Sequence, residues 1–311
     1  MRLLLATDGS TFADAATQAV IAEVKRDGAD IRVIHVVDSK KELLPEMTAL
    51  DAEVMNAPAR RRSAEALVDA TAQLLRIGGF NTTTMVVWGD PRSQIIQAAK
   101  EWQADAIVLG SHGRTGLHEL LMGSVSDAVS RHAPCSVEIV RAPKPQQTPQ
   151  GLRILLAMDD SEFSEAVANA VITQVKSERA EVKLLSVLDP WPLAEALAEA
   201  HQRASEEYPD FAGAVVKLRD QAIRKLLKTA EKFESVGFKV TQTLAEEGDP
   251  RDDILDCAGR WRADLIVVGS HGHKGTDRLL MGSVAEAVSR HARCSVEIVR
   301  LQSNERSIAA F

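Results

Sequence analysis

Two copies of one sixteen-residue stretch hold the residues best suited to grip a ligand. Gly110-Ser111-His112-Gly113-Arg114-Thr115-Gly116 leads on to Gly123-Ser124-Val125, and Gly269-Ser270-His271-Gly272-His273-Lys274-Gly275 leads on to Gly282-Ser283-Val284. In each copy two glycines three apart follow an apolar run, Ala106–Leu109 or Leu265–Val268, and the Gly-Ser pair then opens a helical pattern. A glycine at a strand end lets the backbone approach a ligand closely, because no Cβ intervenes. A helix N-terminus leaves N–H groups unpaired and carries a partial positive charge. Together these features form a cradle for phosphate, so the expected chemistry is anion binding by main-chain amides.

Each of these residues also has a structural explanation. Ser124-Val125-Ser126-Asp127 and Ser283-Val284-Ala285-Glu286 fit a capping box, in which a serine and an acid three residues on satisfy helix-end N–H groups. Such a cap contributes about 1 kcal/mol, enough to account for the serine. It leaves the upstream glycines unexplained. Asp8 and Asp159 follow leucine-rich runs and suit either a ligand contact or the cap of the next helix. His112 and His271 come with no nucleophile–base–acid set, so shaping the loop or touching phosphate is their expected role. His271-Gly272-His273 lacks an evident third metal ligand. His132 and His291 fall near helix C-termini, where the dipole favours positive charge.

Familiar phosphate-transfer motifs are missing. Neither Gly-x-x-x-x-Gly-Lys-Ser/Thr nor Gly-x-Gly-x-x-Gly occurs. Without a dedicated cation cluster or general base, rapid phosphoryl transfer is not expected, and no catalytic residue is assigned.

The elements that must position these loops come from a duplication. Positions 110–141 match 269–300 at 24 of 32 places, Leu4–Asp8 aligns with Leu155–Asp159, and Gly89-Asp90-Pro91-Arg92 aligns with Gly248-Asp249-Pro250-Arg251. Residues 1–142 and 152–303 are read as two domains, joined by a Pro- and Gln-rich linker over 143–151. Arg2–Ala6 is a short apolar strand. Phe12, Ala16, Val20 and Val24 then recur at i+4, as do Phe163, Val167, Val171 and Val175, which gives each helix one buried face. Ile31–Val37 is β-branched and continuous, as expected of a strand covered on both sides. Asp38–Pro58 reads as a variable stretch before a helix ending near Gly78-Gly79, and Asp189–Gly213 is its longer counterpart. Thr82–Val87 is a strand, and Asp90-Pro91 supplies a helix cap with proline in the first turn. Alternating strands and helices predict an α/β fold with a mainly parallel sheet. Ligands in such sheets sit beyond the carboxyl ends of the strands, where Asp8, Val36, Gly89 and Gly110 all fall.

Composition bounds the function. Over 311 residues, 45% apolar and 26% charged, the chain describes a globular protein. A net charge of −7 argues against nucleic acid as the main partner, and Arg60-Arg61-Arg62 reads as a solvated helix face. Cys135, Cys257 and Cys294 are too few and scattered for a disulfide framework or zinc site. No apolar run approaches a membrane span, and Met1–Ala6 is too short for a signal peptide. A cytoplasmic location is expected.

With these residues laid out, the chain resembles the universal stress protein family in its tandem form. The family signature of Gly, two residues, Gly, nine residues and Gly-Ser is met by Gly110, Gly113, Gly123 and Ser124, and again by Gly269, Gly272, Gly282 and Ser283. The opening Leu-Ala-Thr-Asp-Gly-Ser and the His35-Val36-Val37-Asp38 segment are also similar. The resemblance implies two doubly wound five-stranded parallel sheets, each ordered 3-2-1-4-5. It further implies ATP as the ligand, with or without magnesium. Asp8 would meet its sugar or base side, Val36 would offer backbone groups to adenine, and Gly110 and Gly113 would line ribose and phosphates. Gly123, Ser124 and Val125 would hold the phosphates. The second set is Asp159, Val187, Gly269, Gly272, Gly282, Ser283 and Val284. Asp160 stands where the first half has Gly9, and its added charge slightly favours the first site.

Cys135–Arg141 and Cys294–Arg300 are identical, and each belongs at the edge of its sheet. Exposed edges invite pairing, and two like edges can meet about a pseudo-two-fold axis. Ser136–Val140 is therefore expected to pair with Ser295–Val299 as an intramolecular pseudo-dimer, as the family's dimers form through the fifth strand. The alternative is two independent modules on a flexible linker, and further dimerisation is left open. The functional expectation is an ATP-binding, nucleotide-responsive stress factor. A nucleotide-free interaction protein and a slow ATPase or phosphotransferase are the alternatives.

Overall fold

Leu3, Leu4 and Leu5 are at most 2% exposed, because the strand they form has helices on both faces. The computed structural model describes residues 1–38, 49–113, 122–141, 151–159, 161, 163–189, 211–271 and 281–300. Along the first half run β1 (Arg2–Ala6), α1 (Thr11–Glu23), β2 (Asp30–Val37), α2 (Ala49–Ile77), β3 (Asn81–Trp88), α3 (Pro91–Trp102), β4 (Ala106–Gly110), α4 (Ser124–His132) and β5 (Ser136–Val140). The second half repeats them as β6 (Leu152–Ala157), α5 (Phe163–Gln174), β7 (Ala180–Leu188), α6 (Phe211–Ser235), β8 (Lys239–Glu247), α7 (Pro250–Trp261), β9 (Leu265–Gly269), α8 (Ser283–His291) and β10 (Ser295–Val299). A single 3-10 turn, Ser177–Arg179, precedes β7.

Each half has the order 3-2-1-4-5, and the halves share one ten-stranded sheet, β3-β2-β1-β4-β5-β10-β9-β6-β7-β8. All pairings within a half are parallel, whereas β5 and β10 pair antiparallel with Val137 opposite Ile298 and Ile139 opposite Val296. Two edges that would each expose unpaired backbone thereby close on each other. The join is pinned on both sides of the sheet. On one side Lys25 N donates to Gln174 O (2.8 Å) and Lys176 N to Glu23 O (2.9 Å). On the other, Arg131 pairs with Glu286 (2.5 Å) and Arg290 with Asp127 (3.2 Å).

One local reading changes. Helix α2 begins at Ala49 and carries Pro58 inside it, where the sequence suggests an irregular stretch. Proline removes one intrahelical bond, but Pro58 is exposed, and packing decides the rest. Ala64, Val68, Ala72 and Leu75 form a buried stripe that α2 lays on the sheet. Ala222, Leu226, Ala230 and Phe233 do the same for α6. The linker expected over 143–151 lies outside the described residues apart from Gly151.

Candidate functional site

The switch point falls where β1 has β2 on one side and β4 on the other, and again where β6 lies between β7 and β9. Loops leaving neighbouring strands in opposite directions open a crevice there. In the first domain Ser10, not Asp8, caps α1: its Oγ accepts from Ala13 N at 3.2 Å. Asp8 instead uses Oδ1 to accept from Ser10 N at 3.0 Å, which holds its carboxylate beside the glycine loop. A Cβ added at Gly113 would lie 2.6 Å from Asp8 Oδ2. A Cβ at Gly110 would lie 2.7 Å from the Phe12 carbonyl carbon, and one at Gly123 would lie 3.0 Å from Ser111 O. The end of β4 is thus pressed against the start of α1 at Phe12, where only glycine fits without a shift.

The capping boxes do not form. Gly123 and Gly282 occupy the N-cap positions in extended backbone, with no side-chain cap bond. Ser124 and Ser283 therefore fall at the first helical position and are exposed. The two acids of the expected boxes, Asp127 and Glu286, are engaged across the domain join by Arg290 and Arg131. Gly123 N and Gly282 N each donate to the serine carbonyl upstream, Ser111 O and Ser270 O, at 2.8 Å. Beyond them, the first-turn N–H groups of both helices have no carbonyl within the helix to bond. Ser126, which belongs to no motif, also anchors the start of this loop. Ser126 Oγ donates to Gly110 O (2.8 Å) and contacts Ser111 O at 3.2 Å, while the second domain has Ala285 at that place.

The backbones of Val36 and Val187 are turned toward the crevice. Ile34 O accepts from Thr7 N at 2.9 Å, so that carbonyl points toward β1. Backbone groups alternate sides along a strand, so Val36 aims the same way, where β1 has already ended. Leu185 O accepts from Met158 N at 2.8 Å, which gives Val187 the same orientation beyond the end of β6.

Both histidines lean on the serine that precedes them. His112 is buried, its Nδ1 lies 3.1 Å from Ser111 Oγ, and its ring packs on Phe12 with centroids 5.1 Å apart. His271 Nδ1 lies 2.9 Å from Ser270 Oγ. Burial pushes the Cys135 thiol up to about 12, which suits a packing residue and not a nucleophile.

In the second domain the site is an open cavity of about 790 Å³. Asp159, Val187, Gly269, Gly282, Ser283 and Val284 all line it, so six of the seven residues expected there converge. Gly272 and the neighbouring Asp160 lie outside the described residues. Asp159 is held firmly: Oδ1 accepts from Ser161 N at 3.1 Å and from Ser164 Oγ at 2.7 Å. Lys225 of α6 clasps the same turn by donating to Asp159 O (3.1 Å) and Ser161 O (2.8 Å). Opposite the polar loops, Met158, Leu188 and Leu218 form an apolar wall. At the rim, hydrogen bonding to Arg251 holds the Asp249 carboxyl below its ordinary value.

The aligned stripes of α2 and α6 place Arg60 where the second domain has Leu218. Arg60 Nη2 donates to Asp38 O at 2.8 Å, and its guanidinium lies 5.3 Å from the Trp88 ring centroid. Side chains of opposite character therefore stand at equivalent edges of the two sites.

The fold and loops define a tandem, doubly wound α/β protein whose glycine loops and helix N-termini meet at both switch points. The model described as "Universal stress protein family" matches residues 1–141 and again 152–300, so the chain belongs to the universal stress protein family. It is 27% identical over 307 residues to a universal stress protein of Mycobacterium tuberculosis, spanning 96% of both chains. It is 33% identical over 153 residues to one from Methanocaldococcus jannaschii, covering 49% of this chain and 84% of that protein. Among solved structures, a universal stress protein from Archaeoglobus fulgidus has a TM-score of 0.62 at 20% identity over 97% of each chain, a likeness of fold. Among the described residues no helix is long and apolar enough to cross a membrane.

Proposed function

We propose that the protein binds ATP, with the second-domain cavity as its principal site, and that occupancy reports nucleotide level to the stress response. The observation that carries this reading is the cavity of about 790 Å³ bounded by a strand end, a glycine loop and a helix N-terminus. Pockets of roughly 300–1,000 Å³ suit ligands of nucleotide size. The base would lie against Met158, Leu188 and Leu218 and meet the backbone of Val187. Asp159, its carboxylate fixed by Ser161 and Ser164, would receive ribose hydroxyls. Main-chain N–H groups at Ser283 and Val284 would hold the phosphates, helped by the helix dipole, while Gly269 and Gly282 would let the backbone come close to them. Magnesium would ride on the phosphates and its own waters, as that ion prefers. In the first domain Asp8, Val36, Gly110, Gly113, Gly123, Ser124 and Val125 would play the same parts. There Arg60, drawn to Asp38, replaces the apolar wall, so the second site is the stronger. This ranking reverses the order that Asp160 alone suggests.

Ligand that binds only the folded chain raises its stability by about 2.7 kcal/mol at a hundredfold excess over the dissociation constant. Thermal melting and titration calorimetry in ATP test the reading. The expectation is a raised melting temperature and one dominant site, weakened in Leu218→Arg. Melting that is unchanged in millimolar ATP-magnesium would exclude it and favour the nucleotide-free interaction protein.

A further inference from the structure

The antiparallel step in the sheet sets one acid directly against another. Glu138 of β5 and Glu297 of β10 face each other at the centre of the join. Cβ atoms of such opposed residues lie about 4.5–5.5 Å apart, close enough for two carboxylates to repel strongly. Val137, Ile139, Val296 and Ile298 pack in one cluster with Val129 of α4 and Val288 of α8. By alternation the two glutamates occupy the opposite face, where Val140 packs with α1 residues and Val299 with α5 residues.

Most of that face is shielded from water, with Glu138 half-buried and its Oε1 out of solvent. Glu297 is 5% exposed and Glu23, at the end of α1, is 8% exposed. Glu23 at the end of α1 acts on Glu297, and Lys176, beyond α5, in turn feels Arg26, Glu178 and Glu23. Lys25 Nζ donates to Ile172 O (2.7 Å) and Lys176 Nζ to Ile21 O (2.8 Å), so both cations bind helix-end carbonyls. The flanking strands β4 and β9 set Val108 beside Glu138 and Val267 beside Glu297, both buried and uncharged. Three carboxylates thus come together at the seam, and two opposed carboxylates of which one is buried do not both ionise readily.

We propose that Glu138 and Glu297 hold one proton between them while the domains are joined, making the β5–β10 seam a pH-sensitive joint. Burial, reinforced by the nearby Glu23, pushes the Glu297 carboxyl up to about 7 from an ordinary 4.5. The joined state then binds a proton that the opened state releases to water. Its stability is greatest at low pH and is lost as pH rises through about 7. Changes in proton level therefore act on the joint between about 4.5 and about 7.

Hydrogen exchange of the full chain tests this, read as protection of the amides at 136–140 and 295–299 after correction for intrinsic rates. In the wild type, protection of these strands falls by up to about tenfold per pH unit as pH climbs toward neutrality, then levels. Glu297→Gln removes the slope, whereas Glu138→Gln leaves Glu297 buried and moves the slope to lower pH. Glu23→Gln, which copies Gln174 at the equivalent place, keeps the slope but moves it to lower pH. Should a glutamine variant at the pair fail to fold, infrared spectroscopy of the wild type still decides. A protonated-carboxyl band must persist to mildly acidic pH and disappear through neutrality. Protection independent of pH, or slopes unchanged in both pair variants, overturns the proposal.

Discussion

Gly110→Ala and Gly269→Ala change the same motif position in the two domains, yet the structure sets different consequences for each. In the first domain the new Cβ would sit 2.7 Å from both the carbonyl carbon and the Cβ of Phe12, and 2.9 Å from its carbonyl oxygen. Carbon atoms prefer about 3.5–4.0 Å, so the first turn of α1 must move by most of an ångström. Overpacking of this kind costs about 1–3 kcal/mol. Lower entropy of the unfolded chain returns roughly 0.4–1 kcal/mol where alanine suits the backbone, and Gly110 has no positive φ. A net loss of about 1–2 kcal/mol follows. In the second domain the nearest atoms are His271 O at 3.2 Å and a Val167 methyl at 3.5 Å. A shift of a few tenths of an ångström relieves that contact, leaving Gly269→Ala within about 0.5 kcal/mol of the wild type. Urea unfolding of both variants beside the wild type, with fluorescence and circular dichroism compared, measures the difference. If Gly269→Ala costs as much as Gly110→Ala, the reasoning from local packing is wrong. Because Gly269 lines the cavity, its variant should weaken ATP binding while leaving the fold intact.

Other substitutions read further links. Ser126→Ala removes the hydroxyl that bonds Gly110 O and touches Ser111 O, and should cost about 1 kcal/mol by thermal melting. Ser124→Ala should change ligand-free stability by less than about 0.5 kcal/mol, because Gly123 is the N-cap. A loss near 1 kcal/mol would restore the capping box. Arg300→Ala strips donors from Ser130 O, Arg131 O and Cys135 O, and should cost about 1–3 kcal/mol with raised exchange across β5.

Much of the fold is legible in short-range pattern. The i+4 spacing of Phe12, Ala16, Val20 and Val24 and the β-branched run Ile31–Val37 both state their element type through backbone periodicity. Proline at Pro58 misleads, because its local cost is outweighed by a stripe ending seventeen residues away at Leu75. The positions of Asp8, Gly110 and Gly123 at element ends are legible too, but what each touches is not. Arg60 and Leu218 carry no motif, and only helices laid across the sheet bring them to the edge of the crevice.

By itself the sequence determined the duplication, the alternation of strands and helices, the glycine loops at strand ends and the matching edge strands. All are relations among near neighbours or between two copies, which residue identity and spacing express directly. Tertiary structure decided which of two candidates caps a helix, why Gly110 must lack a side chain, and that Glu138 meets Glu297. Those outcomes depend on atoms about a hundred or more residues apart, or on the direction in which a loop leaves its strand. They are settled when packed elements exclude every other arrangement.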